Sequence, residues 1–223
     1  MAAAKGKTNW FAIWISVAAV VVIVAVGALV VFMNNVASGP GEVPEASNVD
    51  QSSGAISFGT GTDTVDTYID FMCPYCNQFE QTEGDEIQKL VASGDVTLNV
   101  YPVSILDRLS QGTEYSSRAA SAMYSVAVAD PANSYAFLQA LYANQPAENS
   151  AGLTDEQIVQ IARDAGVDVT PELEESITSH EYLQFAKSRE LPEGSTGTPT
   201  LVVNGTIVPV TYDPQADIVD RLS

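Results

Sequence analysis

The sequence predicts an α/β sandwich that carries an inserted helical subdomain and is preceded by one membrane-spanning helix. Three observations predict it. An uncharged apolar run occupies Trp10–Met33. A two-residue hydrophobic period marks strands early and late in the rest of the chain, whereas a helical period dominates its middle. Both cysteines, Cys73 and Cys76, fall where a clear strand gives way to a helix.

The run WFAIWISVAAVVVIVAVGALVVFM holds 24 residues without charge or proline. As a helix it would rise roughly 36 Å, more than a hydrocarbon core of about 30 Å. Trp10 and Trp14 suit the interface, and Lys5 and Lys7 keep residues 1–9 on the cytoplasmic side. The expected layout is therefore a cytoplasmic N-terminus (1–9), a transmembrane anchor (10–33), a flexible linker (34–54) and a folded domain (55–223). A cleaved signal peptide is the competing reading. Its apolar region is usually shorter, and only a loose cleavage candidate follows at Val36-Ala37-Ser38. Either reading sends the domain outside the cytoplasm.

The linker is expected from its Gly, Ser, Pro and Asn content and its lack of apolar period. A short apolar segment at Ile56–Phe58 opens the domain. In Val65–Phe71, residues Val65, Thr67, Ile69 and Phe71 alternate as one face of a strand. Pro74–Val91 reads as a helix with Phe79, Ile87, Leu90 and Val91 on its apolar side, weakened or bent at Gly84. Val96–Val103 alternates again. Helical spacing then recurs over 114–129, 133–143, 155–165 and 171–188, so the insertion spans about 112–190. Thr154 with Gln157 forms a capping-box pattern, and Pro171 suits a first helical turn. Strands return at 198–203 and 206–210 around Asn204-Gly205, a hairpin signal. A short helix over 213–222 closes the chain.

The chain carries 28 acidic and nine basic residues, a formal charge of −19. Nucleic-acid binding would need clustered Lys and Arg, which are absent. The acidity reads as solubility outside the cell, with an acidic docking surface as the alternative.

Two cysteines two residues apart would close too small a loop to stabilise the fold much. Zinc usually takes four ligands, and Cys73, Cys76 and the single histidine, His180, fall short. A thiolate at a helix N-terminus is favoured by unpaired N–H groups and the helix dipole, which suits disulfide exchange. Redox chemistry is therefore the leading reading, with an inert pair and a metal site as alternatives. In it Cys73 is the nucleophile and Cys76, one turn on, the resolving thiol. Pro74 lacks an N–H and fits the first turn; Tyr75 adds aromatic bulk but no charge.

The stretch IDFMCPYCNQFE, followed much later by GTPTLVVNG at 197–205, resembles the DsbA-like branch of the thioredoxin-fold thiol–disulfide oxidoreductases. The resemblance covers roughly Ile56 to the C-terminus and implies a thioredoxin-like fold with a helical insertion. It implies a redox-active Cys73–Cys76 disulfide, a cis proline at Pro199 and a substrate-contact role for Thr198. Leu201, Val202 and the Pro199 loop are expected to border an extended, weakly selective peptide groove. Many relatives carry a buried acid six residues before the first cysteine; here that residue is Thr67. Asp70, three before Cys73, is left with three readings: steadying the motif, tuning the pair's protonation, or plain solvation. CPYC also occurs in glutaredoxins, which lack the anchor and the insertion.

The expected function is a membrane-anchored disulfide oxidase of a bacterial envelope, acting as a monomer with no cofactor and no metal. Its expected partners are unfolded exported proteins with free cysteines and a DsbB-like or VKOR-like quinone-linked protein that reoxidises it. A reductase for cytochrome maturation or envelope repair would use the same cysteines. A tethered chaperone or binding module would need neither.

Overall fold

The computed structural model describes residues 10–37 and 41–223, the first segment with side chains at Trp10 and 13–29 only. Residues 1–9, with Lys5 and Lys7, and residues 38–40 lie outside the described residues. The chain divides into two compact units, 1–39 and 40–223.

The first unit contains α1 (Trp10–Ala37), a helix that continues four residues past the expected end at Met33. Between 13 and 29 every residue but Ser16 is apolar or glycine, and all are exposed. That described stretch rises about 26 Å, short of a hydrocarbon core of about 30 Å. Among the described residues no helix is long and apolar enough to cross a membrane.

In the second unit, five strands form one sheet in the order β1-β3-β2-β4-β5. β1 (Ile56–Phe58) pairs antiparallel with β3 (Val96–Pro102), and β2 (Asp63–Ile69) lies parallel to β3. A parallel neighbour needs a crossover, which α2 (Pro74–Ser93) provides. β4 (Thr200–Val203) runs antiparallel to β2 and turns through Asn204-Gly205 into β5 (Thr206–Val208). The expected alternation holds: Val65, Thr67 and Ile69 in β2 and Val96, Leu98 and Val100 in β3 are buried. Phe79 and Ile87 of α2 are buried in the same core. This is the thioredoxin-like α/β fold with a helical insertion.

The insertion comprises α3 (Tyr115–Ala129), α4 (Ser134–Ala143), α5 (Asp155–Asp164), α6 (Pro171–Thr178) and α7 (Leu183–Lys187). Helix α3 is buried along most of its length, its Ala and Ser residues permitting close approach by the other four. Thr154 and Gln157 do form the capping box of α5. The single helix expected over 171–188 is two, broken where His180 takes φ 57°. There His180 meets Asp155 at 2.9 Å, and Arg118 holds the other oxygen of Asp155 at 2.6 Å. After β5 come α8 (Pro214–Asp217) and a single 3-10 turn at Val219–Arg221, in place of one continuous helix.

α2 runs unbroken through Gly84, where a Cβ would stand 2.7 Å from the Glu80 carboxylate, so the glycine makes room for that side chain. Residues 41–54, read as part of a free linker, pack on the domain. Pro44 and Val49 are buried, Val49 bridges to Ile56, and the Asn48 side chain donates to the Ala127 carbonyl at 3.2 Å. The Asn48 contact is with a distant partner, and none of these contacts leaves a periodic mark in the sequence.

Candidate active site

β2 ends at Ile69, and four residues later Cys73 is the N-cap of α2, with Pro74 in its first turn. The connecting turn is held by Asp70. Its carboxylate accepts from the Met72 N–H at 2.8 Å, the Leu106 N–H at 2.9 Å and the Ser116 hydroxyl at 2.6 Å. Its carbonyl accepts from the Cys73 N–H at 3.0 Å and the Tyr142 hydroxyl at 3.3 Å. Asp70 thus ties the loop before Cys73 to the loop after β3 and to α3. Burial pushes its carboxyl up to about 6 despite these donors.

Cys73 and Cys76 are both free thiols and both buried, Cys76 completely. The Cys73 thiol donates to the Thr198 carbonyl at 3.3 Å, and the Cys76 sulfur accepts from the Asp70 N–H at 3.5 Å. The two sulfurs differ in acidity for a physical reason. Cys73 is drawn down to about 6, chiefly by hydrogen bonding from the Cys76 thiol, with the Thr198 side chain and the N–H groups of Cys76 and Tyr75 adding to it and burial opposing it. Burial first, and the neighbouring Cys73 second, push Cys76 well up. One thiol is therefore set to be an anion near neutral pH while the other keeps its proton.

The hairpin strand brings Thr198-Pro199, 125 residues away in sequence, against Cys73. The Thr198–Pro199 peptide bond is cis. Beside it lies a groove of about 420 Å³ lined by Tyr75, Thr198, Pro199, Thr200, Ile207 and Tyr212, among others. Tyr75 is 62% exposed at its edge. Leu201 and Val202, expected at the groove, are buried in β4 instead, and Thr200 and Ile207 border it. Thr67 is buried under the motif, next to Glu80 and Tyr135 around a small internal cavity.

Several contributors carry no sequence signal of their own. From the end of α4, Gln145 donates to the carbonyls of Phe71 and Cys73 at 3.0 and 2.9 Å, and Asn77 of α2 donates back to the Tyr142 carbonyl at 3.1 Å. Ser116, Tyr142 and Gln145 make the insertion a support for the cysteine loop. Among the described residues no group of three or more His, Cys, Asp or Glu is placed to hold a metal ion.

A thioredoxin family model matches residues 60–221. The crystal structure of oxidised Mtb DsbA is 32% identical, with a TM-score of 0.63 over 70% of this chain and 86% of that one. The reduced form of the disulfide bond oxidoreductase DsbG from Mycobacterium tuberculosis is also 32% identical, with a TM-score of 0.61 over 78% and 84%. MdbA from Corynebacterium diphtheriae, a thiol-disulfide oxidoreductase, shares the fold at 22% identity and a TM-score of 0.63, over 77% and 92%. A stretch of 111 residues, 48% of this chain, is 32% identical to the serine/threonine-protein kinase PknE of Mycobacterium tuberculosis; it spans 20% of that protein's length.

Proposed function

Because the chain belongs to the thioredoxin family as a DsbA-like thiol–disulfide oxidoreductase, we propose that it is an extracytoplasmic oxidase that places disulfides in exported proteins through Cys73 and Cys76. A substrate thiolate attacks the Cys73 sulfur of the oxidised pair, the Cys73–Cys76 bond breaks, and Cys76 leaves and takes a proton. A second substrate thiolate then attacks the substrate sulfur of the mixed disulfide and expels Cys73 as a thiolate. Two electrons have passed to the protein, and a DsbB-like or VKOR-like membrane protein returns them to a quinone. Thr198 and Pro199 align the substrate backbone beside Cys73, Pro74 and Tyr75 shape the turn, and Asp70 steadies it.

The observation that carries the oxidase direction is the acidity of Cys73, near 6 beside a fully buried Cys76. Stabilising the thiolate stabilises the reduced pair and so shifts its potential in the oxidising direction relative to an ordinary dithiol. The apolar run Trp10–Met33 supports a single-pass anchor with the N-terminus cytoplasmic and the domain outside the cell membrane. The protein works as a monomer on unfolded chains with free cysteines.

The reduction potential of the pair tests the direction. A value of about −120 to −180 mV is expected, and one near about −270 mV would make the protein a reductase. Cys76→Ser is expected to accumulate mixed disulfides with substrates and Cys73→Ser to abolish exchange. Full complementation by Cys73→Ser would instead mark a tethered binding module.

A further inference from the structure

Asn77 and Gln81 continue from Cys73 at four-residue intervals along one stripe of α2. From the loop after α4, the half-buried Gln145 joins them in a chain of three side-chain amides. Gln81 donates to the Asn77 side-chain oxygen at 2.9 Å, and Asn77 donates to the Gln145 side-chain oxygen at 3.2 Å. Gln145 in turn donates to the carbonyls of Phe71 and Cys73 at 3.0 and 2.9 Å. The direction of this chain is forced. Backbone carbonyls only accept, so the nitrogen of Gln145 faces those of Phe71 and Cys73 and its oxygen faces Asn77. The Tyr142 carbonyl, 3.1 Å from the Asn77 nitrogen, turns the second amide in the same sense. The positive end of the chain therefore rests on the cysteine turn.

That end meets an electrostatic need. Pro74 removes the N–H from the peptide group that follows Cys73, which leaves its carbonyl as an unbalanced negative end on the residue that bears the thiolate. None of the described side chains lining the groove beside Thr198 and Pro199 is charged, so no cation there offsets it. The N–H groups of Cys76 and Asn77 reach the Cys73 carbonyl at 3.1 and 3.2 Å as bonds of the helix itself. Gln145 adds a third donor from outside the helix, and it is the one that a side-chain substitution removes. Its partial positive charge offsets the carbonyl and favours the anionic form of Cys73.

We propose that Gln145, oriented by Asn77, is a positioning residue through which the helical insertion tunes the acidity of Cys73 and with it the redox equilibrium of the pair. This rests on the reading that Cys73 is the exchanging thiolate. The test titrates the full chain, reduced, by thiolate absorbance and measures its equilibrium with a glutathione buffer alongside. Gln145→Ala is expected to raise the Cys73 pKa by roughly half a unit to one unit, and so to lower the ratio of reduced to oxidised pair by roughly 3–10-fold above about pH 7. Gln145→Glu is expected to raise it further, because a carboxylate donates nothing and adds a negative charge. Gln145→Lys keeps donors and adds a positive charge, and is expected to lower it. A mere prop for the loop would make all three shift the same way. The expected order, from most to least acidic Cys73, is Gln145→Lys, the native protein, Gln145→Ala, Gln145→Glu; any other order overturns the inference. Asn77→Ala frees the Gln145 amide to turn, so it is expected to raise the pKa by less than Gln145→Ala does and to add little in that background. Full additivity of the two would overturn the orienting role of Asn77. A native Cys73 that titrates as an ordinary thiol, near about 8.5, overturns the oxidase reading whatever the variants do. A native value near 6 that Gln145→Ala leaves unchanged overturns this inference alone.

Discussion

At Cys73 the sulfur sits where a helix begins, and its acidity comes from identifiable donors. The Cys76 thiol contributes most, ahead of Thr198 and the two backbone N–H groups. Removing that donor should therefore show. Cys76→Ala is expected to raise the Cys73 pKa by about one unit or more, whereas Cys76→Ser, which retains an O–H, should raise it less. Thiolate absorbance followed from acid to alkaline pH measures both, and equal effects from the two substitutions would contradict the assignment. The cysteines were legible in the sequence because strand, pair and helix are contiguous, so local pattern alone locates them. Thr198 and Pro199 were reached only through resemblance. Asp70 was noticed, but its role depends on partners 36 to 72 residues away, Leu106, Ser116 and Tyr142. Tyr212, which lines the groove after β5 with φ 63°, had no sequence signal: its backbone is held by the carboxylate of Asp217, five residues on, with no turn or periodic pattern to mark it.

Helix α2 carries the site on its first turn and a second constraint further along. Glu83 is fully buried, and among the described residues its carboxylate oxygens have no hydrogen-bond partner. Burial, with Asp217 and Asp213 nearby, pushes it up to about 7. The folded state thus holds this proton more tightly than the unfolded chain does. The resulting stability is complete below about pH 4.5 and is lost as pH rises through about 7. Glu83→Gln is expected to flatten that dependence and to stabilise the protein at about pH 8 by on the order of 1–3 kcal/mol. Urea denaturation of both proteins across this range measures it; parallel pH profiles would refute it. Other features of the elements divide by how local their causes are. The capping box of α5 and the Asn204-Gly205 hairpin are short-range and were read correctly. The break between α6 and α7 was missed because helical spacing continues through His180, while the turn there is held by Asp155 from another helix.

At the scale of the molecule, the folded body begins earlier than composition indicates. Residues 41–54 look like linker, yet Pro44 and Val49 are buried and Arg189 donates to the Ser52 carbonyl at 3.0 Å. A fragment starting at Gly41 is expected to exceed one starting at Ala55 by about 2–4 kcal/mol, the worth of two buried apolar side chains and their hydrogen bonds. Equal urea midpoints would show that the segment contributes nothing. The asymmetry of the two thiols reaches further still, into the molecule's exchange of protons with its surroundings. Closing the disulfide removes two electrons, but the number of protons released with them depends on which thiol was already ionised. Above about pH 6 Cys73 has given up its proton and Cys76 has not, so reduction binds one proton per two electrons. The potential is then expected to fall by about 30 mV per pH unit around neutrality, against about 59 mV per unit in acid, with the break marking the Cys73 pKa. A cysteine pair wired in this way keeps a steadier potential as its medium drifts around neutrality than a pair of ordinary thiols would.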